Sequence, residues 1–445
     1  MRRAARVLAV LALGCGGSPA PAPDEPPAAA PLAEAAPPAP AEKTETFQAP
    51  SSASAGHLRA ADIAALTPLP PLRKGKTPAP LPADPRYERT IKRLVAMLEA
   101  HAGDPQTPWA VGHGMIALGP EFTLSNGKNA TTYLFETYAE EFEVDGQTFV
   151  RFPRAKGDIR VEPHKDLMLK VLAETGAAPE LAVTVQGQPH TLADLYRGAL
   201  VESAVDPLKN TSSYASPNDM PWSLQALAMW APPSADGKGL RWVAADGTAM
   251  SLHEFTLFNT SVLVQESQFL FEAMQAGADI QKRGQGIFRF TCGGAHLLQG
   301  VAYSAGRGHR TELSNKALQA QVALMFWRLP KELKVYDELM KKLDNPQHMV
   351  MLLIQRLKFT GHFLETMHKL AILGLYQPTP EQQALLKGAA DQVVLTVEAL
   401  DNQKVLDNLP ALRQTSEQMF LDVIGDSAHA VRGLRLALGN DTLAW

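Results

Sequence analysis

From residue 84 onward, apolar side chains return at intervals of three and four, the spacing that gathers them on one face of an α-helix. The pattern begins at Asp84-Pro85, an acidic cap with proline at the first helical position, and Ile91, Leu94, Val95 and Leu98 form the buried face. It predicts further helices over 165–175, 191–204, 222–230, 251–276, 290–305, 313–328, 331–343, 348–375 and 380–400, with two shorter ones before Trp445. Period-two alternation is concentrated at Glu141 to Phe152, where polar and apolar residues alternate about Asp145-Gly146 and predict a hairpin. The expected fold class is all-α, a helical-hairpin array with one small β-hairpin.

Two segments share a layout. Val185 to Leu195 and Ala245 to Phe255 each carry a glycine turn ahead of a helix start. Thr191 with Asp194, and Ser251 with Glu254, have the spacing of a reciprocal cap. Duplicated helical hairpins and chance similarity of two capped helices both account for this.

Ahead of residue 84 the pattern changes. Residues 15–83 are dominated by Pro and Ala, as in Pro19 to Pro23 and Ala35 to Pro40, with little to bury. Such a segment cannot offset its ordering entropy, and a Pro-rich tract extends at ~3.1 Å per residue. It is expected to be a disordered stalk, with the helical domain spanning 84–445. The chain carries a formal charge of -4 and lacks a long basic block, which argues against a nucleic-acid partner. The greasy run from Phe255 to Phe271 is interrupted by Asn259, Gln265, Glu266, Ser267 and Gln268, so no membrane-spanning helix is expected in the body.

At the extreme N-terminus, Arg2, Arg3 and Arg6 precede the short apolar stretch Val7 to Leu13, and Ala12-Leu13-Gly14-Cys15 closes it with small residues around a cysteine. This order resembles the lipobox of bacterial lipoproteins over about the first fifteen residues, with Ala12 where that family usually has Leu. The resemblance implies cleavage of a signal peptide, 1–14, and lipidation of Cys15. It also implies a body tethered to a bacterial membrane of the cell envelope, periplasmic or surface-exposed, with Gly16 compatible with the outer membrane. A signal-anchor is the competing reading, with plain cleavage without lipid beside it. A spanning anchor would need ~20 apolar residues. With Cys15 lipidated, Cys292 is a lone thiol, because the chain has two cysteines.

The segment richest in chemistry is Phe290 to Tyr303, where Cys292, His296, Gln299 and Tyr303 fall at i, i+4, i+7 and i+11 and would form one polar stripe on a helix. His362, Glu365 and Lys369 share a second helix face, with His368 one turn from Glu365. His113 sits between Gly112 and Gly114 at the start of an apolar run, and Trp222 to Trp230 forms a fourth such segment. In layout these resemble the inner helices of an α/α toroid, the architecture of terpene cyclases and lanthionine cyclases. The ligand motifs of the zinc enzymes in that group do not occur here, so the resemblance implies no function.

Cys292 and His296 can bind a metal, with His113 or His362 as a third ligand and water as a fourth, and zinc suits thiolate and imidazole. Alternatively, His296 activates Cys292 as a nucleophile, with Glu365 orienting a histidine. A third reading makes the thiol and the imidazoles ordinary packing residues. The sequence therefore leads to a lipid-anchored helical domain that binds a small molecule or an envelope protein, with Gln299, Tyr303, His368 and Lys369 as binding candidates. Its rival is a metal- or thiol-dependent hydrolase acting through Cys292, His296 and Glu365.

Overall fold

A computed structural model describes residues 53–54, 56–70, 78–206, 211–212, 219–232, 239–343 and 345–440. The expected signal peptide, Cys15 and most of the expected stalk lie outside the described residues. The architecture is an all-α helical array. Its fourteen described α-helices are α1 Ala60–Ala64, α2 Pro85–His101, α3 Pro108–Leu118, α4 Ala130–Tyr138, α5 Leu167–Glu174, α6 Leu192–Glu202 and α7 Met220–Trp230. They continue with α8 Leu252–Gln275, α9 Ala295–Gly306, α10 Glu312–Met340, α11 Pro346–Ile372, α12 Pro380–Asn402, α13 Leu409–Thr415 and α14 Glu417–Ala437. No described helix is long and apolar enough to cross a membrane.

Local chemistry fixes the starts. Asp84 accepts from the Arg86 amide at 2.9 Å, with Pro85 in the first turn of α2. Thr191 and Asp194 cap α6 reciprocally, and Ser251 accepts from the Glu254 amide at 3.0 Å to cap α8. The two similar segments are each a β-hairpin leading into a capped helix, rather than a helical hairpin. Strands β5 (Ala182–Val185) and β6 (Gln188–Thr191) run into α6, and β9 (Arg241–Val243) and β10 (Ala249–Ser251) run into α8. The expected hairpin is present as β1 (Glu140–Val144) and β2 (Gln147–Arg151). Two more two-stranded pairs, β3–β4 (Ala155–Lys156, Ile159–Arg160) and β7–β8 (Val205–Asp206, Thr211–Ser212), bring the total to five where one was expected. Strands of two to four residues are too short for alternation to reveal.

Six helices are buried on nearly every side. Helices α5 and α7 are covered from end to end, α3 and α9 except at their last residue, and α11 and α14 over most of their C-terminal two thirds. Each packs on the next: α3 on α5, α5 on α7, α7 on α9, α9 on α11, α11 on α14, and α14 back on α3. The contacts close a ring. Around it α2, α6, α8, α10 and α12 form an outer layer, each touching at least one inner helix. Six inner helices inside an outer layer is the layout of an α/α toroid.

Small residues let the inner helices approach. A Cβ on Gly300 in α9 would meet the Pro221 carbonyl of α7 at 2.6 Å, and one on Gly361 in α11 would meet the Ala430 backbone of α14 at 3.1 Å. Large side chains are thereby excluded from both crossings.

Three expectations need revision. The folded body does not begin at residue 84: Leu58 exchanges backbone hydrogen bonds with Arg241 and Val243, Ile63 is fully buried, and the Leu69 amide donates to Trp230. These few apolar residues find partners far along the chain, which composition cannot show. Helix α10 runs unbroken through Pro330, where two helices were expected; packing on α8 and α11 outweighs the backbone bond that proline removes. The last inner helix, α14, has 21 residues where a short one was expected.

Replacing Gly300 or Gly361 with Ala should cost ~1–3 kcal/mol through overpacking. Gly388→Ala in α12, where nothing lies within 4 Å, should gain up to ~1 kcal/mol from helix propensity. Urea denaturation checks both, and equal effects at all three positions would refute the close-packing account.

Candidate metal centre

The ring is filled by side chains, not open, and its polar centre has two layers. In the first, His113 (α3), His296 (α9), His362 (α11) and His429 (α14) gather with Cys292, Trp109, Trp222, His164, Asp422 and Asp426 around a cavity of only about 10 Å³. Ring centroids lie 5.0 Å apart for His296 and His362, 5.2 Å for His296 and His429, and 3.9 Å for His362 and His429. The Trp222 ring covers His296 at 4.0 Å and Trp109 stacks on His113 at 3.8 Å.

Both nitrogens of His362, Nδ1 of His296 and Nε2 of His429 are buried and find no hydrogen-bond partner among the described residues. Each such atom costs ~1–3 kcal/mol of lost hydration. Burial, reinforced by neighbouring imidazoles, holds His113, His296 and His362 well below the usual histidine range, so these rings are neutral. The neutral imidazole is the form in which histidine can bind a metal. Potential ligand atoms of Cys292, His296 and His362 lie within 4.8 Å of one another, as do those of His362, Glu365 and His429.

The second layer is a dry chain of charge. Glu365 accepts from Lys369 Nζ at 2.6 Å through Oε1 and from His429 Nδ1 at 2.7 Å through Oε2. Lys369 pairs in turn with Glu174, which pairs with Lys170 at 2.7 Å and accepts from Tyr303 and Gln225. Gln299 accepts from Lys369 at 3.1 Å and donates to Thr366 at 2.8 Å. Burial would raise the Glu365 carboxyl, but Lys369, His429 and Lys170 outweigh it and hold the group well below the usual carboxylate range. The layer balances two carboxylates against two ammoniums with essentially no solvent.

The predicted site residues separate accordingly. Cys292, His296 and His362 come together. His113 lines the same cavity but stands outside the closest triad, with its Nδ1–H donated to the Trp109 carbonyl at 2.9 Å. Gln299, Tyr303, Glu365 and Lys369 belong to the charged layer. His368 does not line the cavity: its Nδ1 donates to the Leu364 carbonyl at 2.8 Å, and burial lowers it to about 4. Cys292 is not on the helix that carries His296. It sits in a tight turn, Thr291–Gly294, at φ 54 and ψ 36, followed by left-handed Gly293 and Gly294. A left-handed conformation at a non-glycine residue costs ~1–2 kcal/mol, and here it turns the thiol toward His296 and His362.

Sequence reasoning missed His429, Asp426 and Arg432 on α14 and Lys170 and Glu174 on α5. A signal was present. Asp422, Asp426, His429 and Arg432 recur at four, three and three, the same kind of stripe as Cys292 to Tyr303, and Asp166, Lys170 and Glu174 recur at four.

Compared with family models, with curated proteins and with solved structures, the chain matches none. Its function is therefore argued from the geometry of the site.

Elsewhere in the molecule a cleft of about 430 Å³ is lined by Glu140, Arg151, Arg154, Glu162, Lys165 and Glu202 among others. Burial, with Asp166 beside it, pushes the Glu162 carboxyl up to about 8, against the opposing pull of the Met168 amide at 2.8 Å. The folded chain thus holds this proton more tightly than the unfolded one. The associated stability is complete below the unfolded carboxyl value and is lost as pH rises through about 8. Glu162→Gln should flatten the decline of melting temperature between about pH 5 and pH 8 and be the more stable protein at the upper end. Parallel pH profiles for the two proteins would refute the assignment.

Proposed function

We propose that this chain is an exported, lipid-anchored helical toroid whose central ligand is a transition-metal ion, held by Cys292, His296 and His362. The observation that carries the reading is the convergence of bare, buried imidazole nitrogens and a thiol on a cavity of about 10 Å³. That volume suits one ion or one water and no organic substrate. Thiolate with imidazole is a donor set for zinc or copper, and a structural zinc ion contributes ~10–16 kcal/mol of binding free energy in small domains. Several unpaired ring nitrogens are offset by such a bond. The same confinement argues against the hydrolase reading, because neither Cys292 nor a metal-bound water would have room beside it for a scissile bond.

The metal reading predicts about one equivalent of zinc or copper in purified full-length protein by elemental analysis. Cys292→Ala and His296→Ala should each lower the content, and chelation should lower the melting temperature of the parent alone. Metal-free protein with an unchanged melting temperature after metal addition would refute it.

The anchor is supported by the arginine-led signal and the small residues before Cys15. Full-length protein expressed in a bacterium should partition into detergent, with the mass of an acylated cysteine at its new N-terminus. Cys15→Ala should move it to the aqueous phase. A mature chain starting elsewhere would sink this part of the reading and leave the metal centre standing.

A further inference from the structure

We infer that His429 is the fourth ligand of the ion and that Glu365 is its positioning residue, so that the centre is coordinatively closed. The inference rests on the metal reading above. Two possible ligand triads share His362, one with Cys292 and His296 and the other with Glu365 and His429. Proximity alone does not choose among these atoms, but hydrogen bonding does.

Both carboxylate oxygens of Glu365 are engaged. Oε1 holds the Lys369 ammonium at 2.6 Å, and Oε2 holds the His429 ring at Nδ1 at 2.7 Å. The ammonium is fully buried and bound also to Glu174, so it cannot swing aside into water to admit a second cation at Glu365. A charged carboxylate at Nδ1 keeps the ring proton there, and Nε2 of His429 is left as a lone-pair donor. That nitrogen is buried and lacks any hydrogen-bond partner among the described residues. A carboxylate behind a histidine whose far nitrogen faces a metal is the usual second layer of such centres, where it fixes the tautomer and raises ligand basicity.

The spacing of the rings agrees. Imidazoles bound at ~2.0–2.1 Å with tetrahedral angles put their ring centroids roughly 5 Å apart. His296 stands 5.0 Å from His362 and 5.2 Å from His429, while His362 and His429, at 3.9 Å, would have to separate to share the ion. With Cys292 Sγ the set becomes three imidazoles and one thiolate. The cavity of about 10 Å³ is room for one water-sized body, a space that the ion itself would take. A saturated ion with no exchangeable position binds and holds; it does not activate water.

The test is cobalt(II) substitution of full-length protein, read by visible absorption and by titration with azide. The expected result is one equivalent of cobalt with tetrahedral bands that azide leaves unchanged. His429→Ala should open a position and make the spectrum azide-sensitive. Glu365→Gln should keep the parent spectrum and azide insensitivity while weakening cobalt binding ~10–100-fold. If His429→Ala fails to fold, His429→Gln, which keeps a polar group beside Glu365, takes its place. Cobalt bound at one equivalent but azide-sensitive in the parent protein overturns the closed centre and leaves the metal reading intact. So does an azide-sensitive Glu365→Gln, which would make Glu365 a ligand. Failure of the parent to bind cobalt, zinc or copper overturns the metal reading itself.

Discussion

The contact on which the rest depends is the one between Glu365 and its two partners, Lys369 and His429. A carboxylate without water is tolerable only where cations or donors replace its hydration. Here the replacement comes from its own helix on one side and from α14 on the other. The bond therefore joins the two inner helices that share the most extensive contact in the molecule, and it joins the charged layer to the imidazole layer. Removing either partner would strand a buried charge, which typically costs ~3–5 kcal/mol.

The rest of the centre follows from the same constraint. Six helices without a solvent face have nowhere to send polar side chains except toward one another, so each contributes to a common interior. Lys170 and Glu174 come from α5, Gln299 and Tyr303 from α9, and Lys369 from α11, and together they pair their charges with one another. The histidines above them do not. Both nitrogens of His362, Nδ1 of His296 and Nε2 of His429 stay without a hydrogen-bond partner among the described residues, an uncompensated cost beside a layer of paired charges.

Much of this was legible in the sequence. The placement of most helices was, because caps such as Asp84 and Thr191 and three-four periodicity are local signals, although Ala60–Ala64 and Ala130–Tyr138 were not among the expected helices. The stripes on α9 and α11 were legible for the same reason, and Cys292, His296 and His362 do meet. What the sequence left open was which partner each polar side chain would take. The sequence could suggest that His113, His368 and Glu365 faced a shared site, but not that His368 would spend its Nδ1 on a carbonyl of its own helix or that Glu365 would be committed to Lys369. Cys292 illustrates a subtler failure, since a helical register was assumed across Cys-Gly-Gly where three successive left-handed residues make a turn. The thiol reached the expected neighbours by a different backbone route. His429 lies near the chain's end on a helix whose length the periodicity does not reveal, although its stripe is as regular as the others.

The closure of the ring by α14 on α3 has a kinetic consequence. Contacts between elements so distant in the chain carry a large loop-closure entropy and are formed late, which slows folding. Until residues 417–437 have been delivered, the first inner helix has an unpaired flank, and His113 and His362 lack the wall that brings them together. A ligand arriving early would meet half a cage. If the centre does take an ion, as proposed, a complete cage would be on offer only once the circle has closed.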